Sequence, residues 1–467
     1  MIEFRTDSLE GTLKNRYFRH PADSNPLIIQ APNLRKLYFS RCPTMKIYNL
    51  FPLLAGPFGD WKPHLQRAAA MGFDWVFVNP IQQPGHSGSL YSIADYFKIN
   101  EKLLDPESDK SPEIQVRQMV AQAHDLGLRM MIDLVINHCA VDSSLVREHP
   151  EWCVREGDRV VNPYCLEEDG SKTVWGDLAQ LDHRHSSDLE GLRRYLGDVI
   201  GYLVELGFTG FRCDAAYQIP RDFWRRIIED ARSRHPDLVF AAETLGCSPH
   251  ETKETASAGF DYVFNSAKWW DFSSPWLLEQ YELTRQVAPS IGFPESHDTE
   301  RLFSESGGNA EVLKQRYLFV ALFSASVMMP IGYEYGFRNR LHVVDTRPEH
   351  WEEPSVDLTD FITLVNRIKS DHPVFREEGP LQKLDHPNSN LLMFWKASTS
   401  GNGEALLTLN KDPWNRQHFH CYDLYRHVQS ATPLQDVSPE WPMEHLPTPL
   451  DFELGPGMGR VMVSGVD

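Results

Sequence analysis

Long apolar runs, paired cysteines and an excess of positive charge are all missing from this 467-residue chain. No stretch approaches the roughly 20 apolar residues of a membrane-spanning helix. Met1-Ile2-Glu3-Phe4-Arg5 opens no apolar run of the kind a secretion signal carries. The expectation is a cytoplasmic protein with no membrane partner. Lys and Arg number 46 against 65 Asp and Glu, a formal net charge of −19. Nucleic acids and anionic lipid surfaces select basic patches, so neither is expected as a partner. A neutral polymer would be indifferent to that charge. The seven cysteines, at 42, 139, 153, 165, 213, 247 and 421, include no CxxC pair. That argues against a zinc site, and an odd, scattered set suits reduced thiols better than a disulfide framework.

What is there is regular alternation. From Met45 onward, short apolar runs alternate with amphipathic helical patterns. The runs are Lys46–Phe51, Trp75–Val78, Arg129–Val135, Gly210–Asp214, Val239–Ala242, Tyr262–Phe264, Ser290–Pro294 and Ser326–Ile331. Helical spacing is read near 61–71, 113–127, 188–207, 220–235, 250–258, 275–287, 310–323 and 357–370. Eight strands alternating with eight helices predict an α/β protein built on a (β/α)8 TIM barrel. The catalytic barrel is expected over residues 45–375, behind an N-terminal extension of residues 1–44. The third connection is too long for an ordinary loop and carries turn-prone pairs such as Asn162-Pro163 and Asp169-Gly170, which predicts an inserted B domain over residues 139–185. Past about Pro373 the apolar period becomes two, as in Leu391–Lys396 and Ala405–Leu409, with turns at Asn402-Gly403 and Gly455–Gly457. A C-terminal antiparallel β-sandwich is expected over residues 376–467.

Chemistry gathers at strand ends. The third predicted strand runs into Asp133 and His138, the fourth into Arg212 and Asp214, the fifth into Glu243 and the seventh into His297 and Asp298. Each alone has a bland reading, since strand-end carboxylates and amides often cap the following helix. A parallel barrel brings these ends to one mouth, however, and so places them in a single cleft. Side chains alternate along a strand, so Arg212 and Asp214 face the same way, and a guanidinium beside a carboxylate favours its anion. Glu243 has no neighbouring cation in sequence. One carboxylate held charged and one free to keep a proton is the division of labour of retaining glycoside hydrolysis.

Four stretches in order, DLVINH (133–138), GFRCD (210–214), AAETLG (241–246) and FPESHD (293–298), resemble the motifs of the α-amylase family of glycoside hydrolases, family 13. LYSIADY (90–96) and PIGYEYG (330–336) add to the resemblance. It implies catalytic roles for Asp214 as nucleophile, Glu243 as acid/base and Asp298 as the third carboxylate, which binds sugar hydroxyls. It also implies substrate-binding roles: Arg212 orients Asp214, His138 and His297 hydrogen-bond the sugar, Asp133 supports their network, and Tyr91 stacks on the ring. The implied partner is an α-glucan or malto-oligosaccharide. No cofactor is implied as required. Some members hold a structural Ca²⁺, and Asn137 stands where one ligand would, but Gln180 replaces the B-domain aspartate, and calcium prefers anionic oxygens.

Two departures shape the functional expectation. Starch-cleaving members often carry Lys-His three and four positions past the nucleophile; here Tyr217 and Gln218 stand there. Local stretches, VREHPEW (146–152), NSAKWWDF (265–272) and SPWLLEQY (274–281), resemble maltose-1-phosphate maltosyltransferases. Those enzymes typically have Asn beside the nucleophile, where this chain has Ala215. Cleavage of α-1,4 bonds in maltodextrin or glycogen is therefore expected first, and glycosyl transfer through the same covalent intermediate second. An inactive sugar-binding homologue is the third reading, and the presence of all three carboxylates argues against it. The aromatic set Trp269, Trp270, Phe272 and Trp276 suits core packing at least as well as a sugar platform, and is not counted among the binding residues.

Overall fold

The computed structural model describes residues 44–166, 172–399, 401, 403–430 and 432–464. The extension read for residues 1–44 lies outside the described residues apart from Thr44, as do Asp169, Gly170 and Asn402 of the expected turns.

Eight parallel strands close into a barrel: β1 (Lys46–Leu50), β2 (Trp75–Val78), β3 (Arg129–Leu134), β4 (Gly210–Cys213), β5 (Val239–Ala242), β6 (Tyr262–Phe264), β7 (Ser290–Gly292) and β8 (Ser326–Pro330). Each pairs with its neighbour in sequence, and β8 closes on β1 with Lys46 opposite Val327. Eight helices cover the outside: α1 (Lys62–Ala70), α2 (Pro112–Asp125), α3 (Leu189–Glu205), α4 (Arg221–Arg234), α5 (Pro249–Ala256), α6 (Trp276–Thr284), α7 (Ala310–Phe323) and α8 (Thr359–Asp371). The expected elements are all found. Their ends differ by at most three residues, as at β7, which leaves the ladder before Pro294, a residue with no N–H to donate.

The strands read as unbroken apolar runs because both of their faces are buried. In β4, Phe211 and Cys213 face outward into the core shared with the helices. Gly210 and Arg212 therefore face the barrel interior. Gly210 has to be glycine: a Cβ there would lie 2.6 Å from Cζ3 of Trp75, whose ring fills the floor of the barrel.

The third connection folds as small antiparallel pieces. His138–Ala140 pairs with Leu178–Gln180, and Tyr164–Leu166 with Lys172–Val174. Trp152 ties the segment to the barrel through an Nε1–H bond of 3.1 Å to Asp188, the residue that caps α3.

Beyond α8 come β9 (Leu381–Leu384), β10 (Leu391–Ala397), β11 (Glu404–Asn410), β12 (Gln417–Cys421), β13 (Gln435–Asp436), β14 (Leu450–Leu454) and β15 (Gly459–Ser464). They form an antiparallel sheet in the order β9-β10-β11-β15-β13, with β12 and β14 paired separately. Period two divides β10 between two cores. Leu392 and Phe394 pack toward the barrel, Phe394 with its ring 6.4 Å from that of Phe319 on α7. Leu391, Met393 and Trp395 face Phe419, Leu450 and Leu454 of the β12–β14 pair. Trp270 is part of the same seam, stacked 5.3 Å from Phe319 and 5.9 Å from Phe394, and Phe272 is buried beside it. This part of the expected aromatic set is core. Trp269 is 38% exposed, against Phe293.

Candidate active site

Asp214 stands one residue beyond β4, its N–H donating to the Leu134 carbonyl at 3.2 Å. Two residues earlier, buried Arg212 donates from Nη1 to Asp214 Oδ1 at 2.7 Å and to both oxygens of Asp133 at 3.0 and 2.8 Å. One guanidinium thus holds two carboxylates from adjacent strands, as the period-two argument required. Burial weakens the Arg212 charge, but the carboxylates more than restore it, and its pKa lies well above the ordinary value. Burial pushes the Asp133 carboxyl up to about 6, against the pull of Arg212.

Glu243 follows β5 directly. Its Oε2 accepts the Ala215 N–H at 2.7 Å and its Oε1 accepts the Leu245 N–H at 3.3 Å. Ala215 has φ 43 and ψ 41, the left-handed region that costs an L-residue roughly 1–2 kcal/mol. Burial raises the Glu243 carboxyl to about 7; Arg212 opposes the shift and Asp214 adds to it. A carboxyl that titrates there is half protonated near neutral pH, as a proton donor must be.

Asp298 is 61% exposed at the rim, 3.0 Å from His297 Nε2. Desolvation would raise its pKa, but His297, Arg212 and Arg340 outweigh it and hold the carboxyl below the usual range. Tyr91 links these groups. Its hydroxyl donates to Asp133 Oδ2 at 2.6 Å, lies 2.7 Å from His297 Nε2 and accepts from Asn79 at 2.9 Å. Its ring stacks on His297 at an interplanar angle of 4°.

Together these elements wall a cleft of about 320 Å³ lined by Tyr91, Asn137, His138, Arg212, Asp214, Glu243 and Asp298. His138 donates from Nε2 to the Tyr91 carbonyl at 3.2 Å, while its Nδ1 has no hydrogen-bond partner among the described residues. Asp133 and His297 lie behind the wall, and His297 is packed against Phe51 and Phe77. Both reach the cleft through Tyr91, Arg212 and Asp298. The sequence reading missed Asn79, though it too stands just past a strand and could have been found by the same rule. It also missed Trp175, Asp177 and Val343 on the cleft wall. Those sit in loops whose path no periodicity encodes.

Asn137 Nδ2 donates to Gln218 Oε1 at 2.8 Å, residue 180 supplies a neutral amide, and among the described residues no group of three His, Cys, Asp or Glu is placed to hold a metal.

A family profile described as "Glycogen debranching enzyme, glucanotransferase domain" matches residues 41–158. The chain is 26% identical over 374 residues to an α-1,4-glucan:maltose-1-phosphate maltosyltransferase of Burkholderia pseudomallei, covering 77% of this chain and 32% of that protein. It is 24% identical over 397 residues to the α-amylase MalA of Haloarcula japonica, covering 76% and 52%. The chain spans only about a third to two thirds of the length of such curated relatives. Among solved structures, an α-amylase from Lactobacillus plantarum superposes with a TM-score of 0.72 at 21% identity, over 90% of this chain and 98% of that one. The debranching enzyme of Nostoc punctiforme gives 0.66 at 17% identity, over 91% and 100%. The barrel has the fold of these α-amylase and debranching-enzyme structures. The chain resembles glycoside hydrolase family 13, with a local resemblance to the maltose-1-phosphate maltosyltransferases.

Proposed function

We propose that this chain is a retaining α-glucan-active enzyme that cleaves α-1,4 bonds through a covalent intermediate on Asp214. The carrying observation is the pairing of Asp214, clamped by Arg212 at 2.7 Å, with Glu243, raised to about 7, in one cleft. An Asp214 oxygen attacks the anomeric carbon while Glu243 passes its proton to the leaving glycosidic oxygen. The glycosyl ester that forms has inverted configuration. Glu243, now a carboxylate, takes a proton from the incoming hydroxyl as that oxygen displaces Asp214, and the second inversion restores the α configuration. Asp298 and His138 bind sugar hydroxyls, and Tyr91, on the cleft wall, stacks on the pyranose. Asp133 and His297 act at one remove, by holding Arg212, Tyr91 and Asp298 in place.

Water as the incoming hydroxyl makes a hydrolase; a glucan hydroxyl makes a transferase. Ala215 supports the first reading, since the transferases it resembles carry Asn there. The transferase names among the relatives support the second. The associated domain division is a barrel over 45–375 with an insertion at 139–185 and a sandwich over 376–467, supported by the change from parallel to antiparallel strands after α8.

Mass analysis of products from maltoheptaose, with and without maltose 1-phosphate, tests the reading. Shorter maltodextrins formed without the phosphate donor are the expected result. Growth in steps of two glucose units with release of phosphate would replace hydrolysis by maltosyl transfer. No change in either mixture would remove the α-glucan reading.

A further inference from the structure

Arg212 clamps Asp214, and two backbone N–H groups hold Glu243, whereas the exposed Asp298 carboxylate leans on His297 Nε2, a nitrogen that also lies 2.7 Å from the Tyr91 hydroxyl. The place of Asp298 is therefore set largely through its backbone. Ser296 Oγ accepts the Asp298 N–H at 3.2 Å, and Arg340 Nη2, from the loop after β8, donates to the Asp298 carbonyl at 2.8 Å. We propose that Arg340 is the positioning residue for Asp298: its guanidinium fixes the peptide that carries the third carboxylate and so fixes where a sugar hydroxyl meets that carboxylate. The assignment rests on the α-glucan reading above, in which Asp298 binds the sugar.

An exposed arginine is usually a loose surface charge. The contact of Arg340 with Glu300, 3.4 Å away and exposed as well, would by itself contribute little. The backbone beneath Arg340 is anchored, however. Asn339, the residue before it, gives its N–H to Glu352 Oε1 at 2.8 Å, and its carbonyl accepts from Arg301 Nε at 3.1 Å. Buried Arg301 also donates to Glu295 Oε1 at 2.7 Å and to the Ile331 carbonyl at 2.9 Å. The loops after β7 and β8 are thus stitched in both directions, with Arg301 reaching from the first to the second and Arg340 from the second back to the first. Further on, the Val343 carbonyl accepts the N–H of Leu90, next to Tyr91, at 3.1 Å, and Val343 lines the cleft. Residues 339–343 therefore span from the Asp298 side of the cleft to the Tyr91 side, and Arg340 is the arm that this span extends to Asp298. Its charge acts in the same sense. With His297 and Arg212 it favours the Asp298 anion, the form that accepts a hydrogen bond from a sugar hydroxyl through either oxygen.

Calorimetric titration with maltoheptaose tests this on the full chain carrying Glu243→Gln, which prevents turnover. Adding Arg340→Ala should weaken binding about tenfold, the loss of one charge-assisted hydrogen bond. Arg340→Lys keeps a cation that can reach the same carbonyl and should recover about threefold of that loss. In a second parent that also carries Asp298→Ala, Arg340→Ala should change binding by less than about twofold, because no carboxylate is left to position. An effect of Arg340→Ala below about twofold in the first parent would overturn the assignment while sparing the α-glucan reading. So would a tenfold loss that persists without the Asp298 carboxylate, or a lysine variant no better than alanine, each the mark of a merely structural role. A first parent that binds no maltoheptaose would instead sink the α-glucan reading itself, and the assignment with it.

Discussion

Glu243 keeps its proton into the neutral range because burial outweighs the pull of Arg212 while Asp214 adds repulsion. In the proposed reaction it donates that proton in the first chemical step, so kcat/KM on maltodextrin should hold below about pH 7 and decline about tenfold per pH unit above it. A pH–rate profile checks the limb, and a basic limb two units higher would count against Glu243 as the acid. Glu243→Gln removes the proton but keeps the shape, and should lower kcat about 10²–10⁴-fold. Tyr91→Phe deletes the hydroxyl that bridges Asp133, His297 and Asn79 and strands buried partners, at about 1–3 kcal/mol. The expected reading is kcat/KM down roughly tenfold to a hundredfold by the same conversion, with the thermal midpoint lowered as well. At this scale the sequence was legible wherever a strand's period of two applied. Arg212 and Asp214 share a face for that reason. It was silent on depth: that His297 would lie behind Tyr91 rather than on the cleft wall depends on Phe51 and Phe77, which come from other strands.

Helix α7 ends inside the protein, against the antiparallel sheet, where its last carbonyls have no water to meet. Two buried lysines meet them instead. Lys369 donates to the carbonyls of Ala321, Ser324 and Phe375 at 2.7, 2.7 and 2.6 Å, and Lys396 to those of Leu322 and Phe323 at 3.1 and 2.9 Å. Lys369→Met would leave three carbonyls unpaired in the core and should cost about 3 kcal/mol, read as a lower urea midpoint. Burial lowers the pKa of both lysines. For Lys396 it falls from 10.5 to about 8, and Glu378 and Glu377 only partly offset this. Between those values the unfolded chain binds more protons than the folded one, so this group's contribution to stability rises with pH over that window. Its two carbonyls still find donors, because a neutral amine keeps two N–H groups. Stability measured from pH 8 to 10 should therefore rise more steeply, or fall less, for the natural chain than for Lys396→Met. Neither lysine was legible beforehand. Lys369 sits in a helical pattern and Lys396 in an alternating one, and a lysine in either usually marks a solvated face.

At the scale of the molecule, the barrel and the C-terminal sheet share one apolar seam, with Trp270, Phe319, Phe323 and Phe394 in ring contact across it. Ending the chain after residue 375 would bare that seam on α7 and also remove Lys396. The shortened chain should accumulate as insoluble material, whereas a separable barrel would elute as a soluble monomer in size-exclusion chromatography. Among the described residues no helix is long and apolar enough to cross a membrane. The sequence by itself determined the order and class of the elements, because burial of both strand faces and one helix face writes periods of two and 3.6 directly into it. It determined the catalytic carboxylates as candidates too, because strand ends in a parallel barrel converge. Only the tertiary structure decided what those groups experience. The rise of Glu243 to about 7 and the withdrawal of His297 behind the wall both come from residues far apart in the chain. Desolvation and electrostatic coupling depend on distance in space, which local spacing along a chain does not encode.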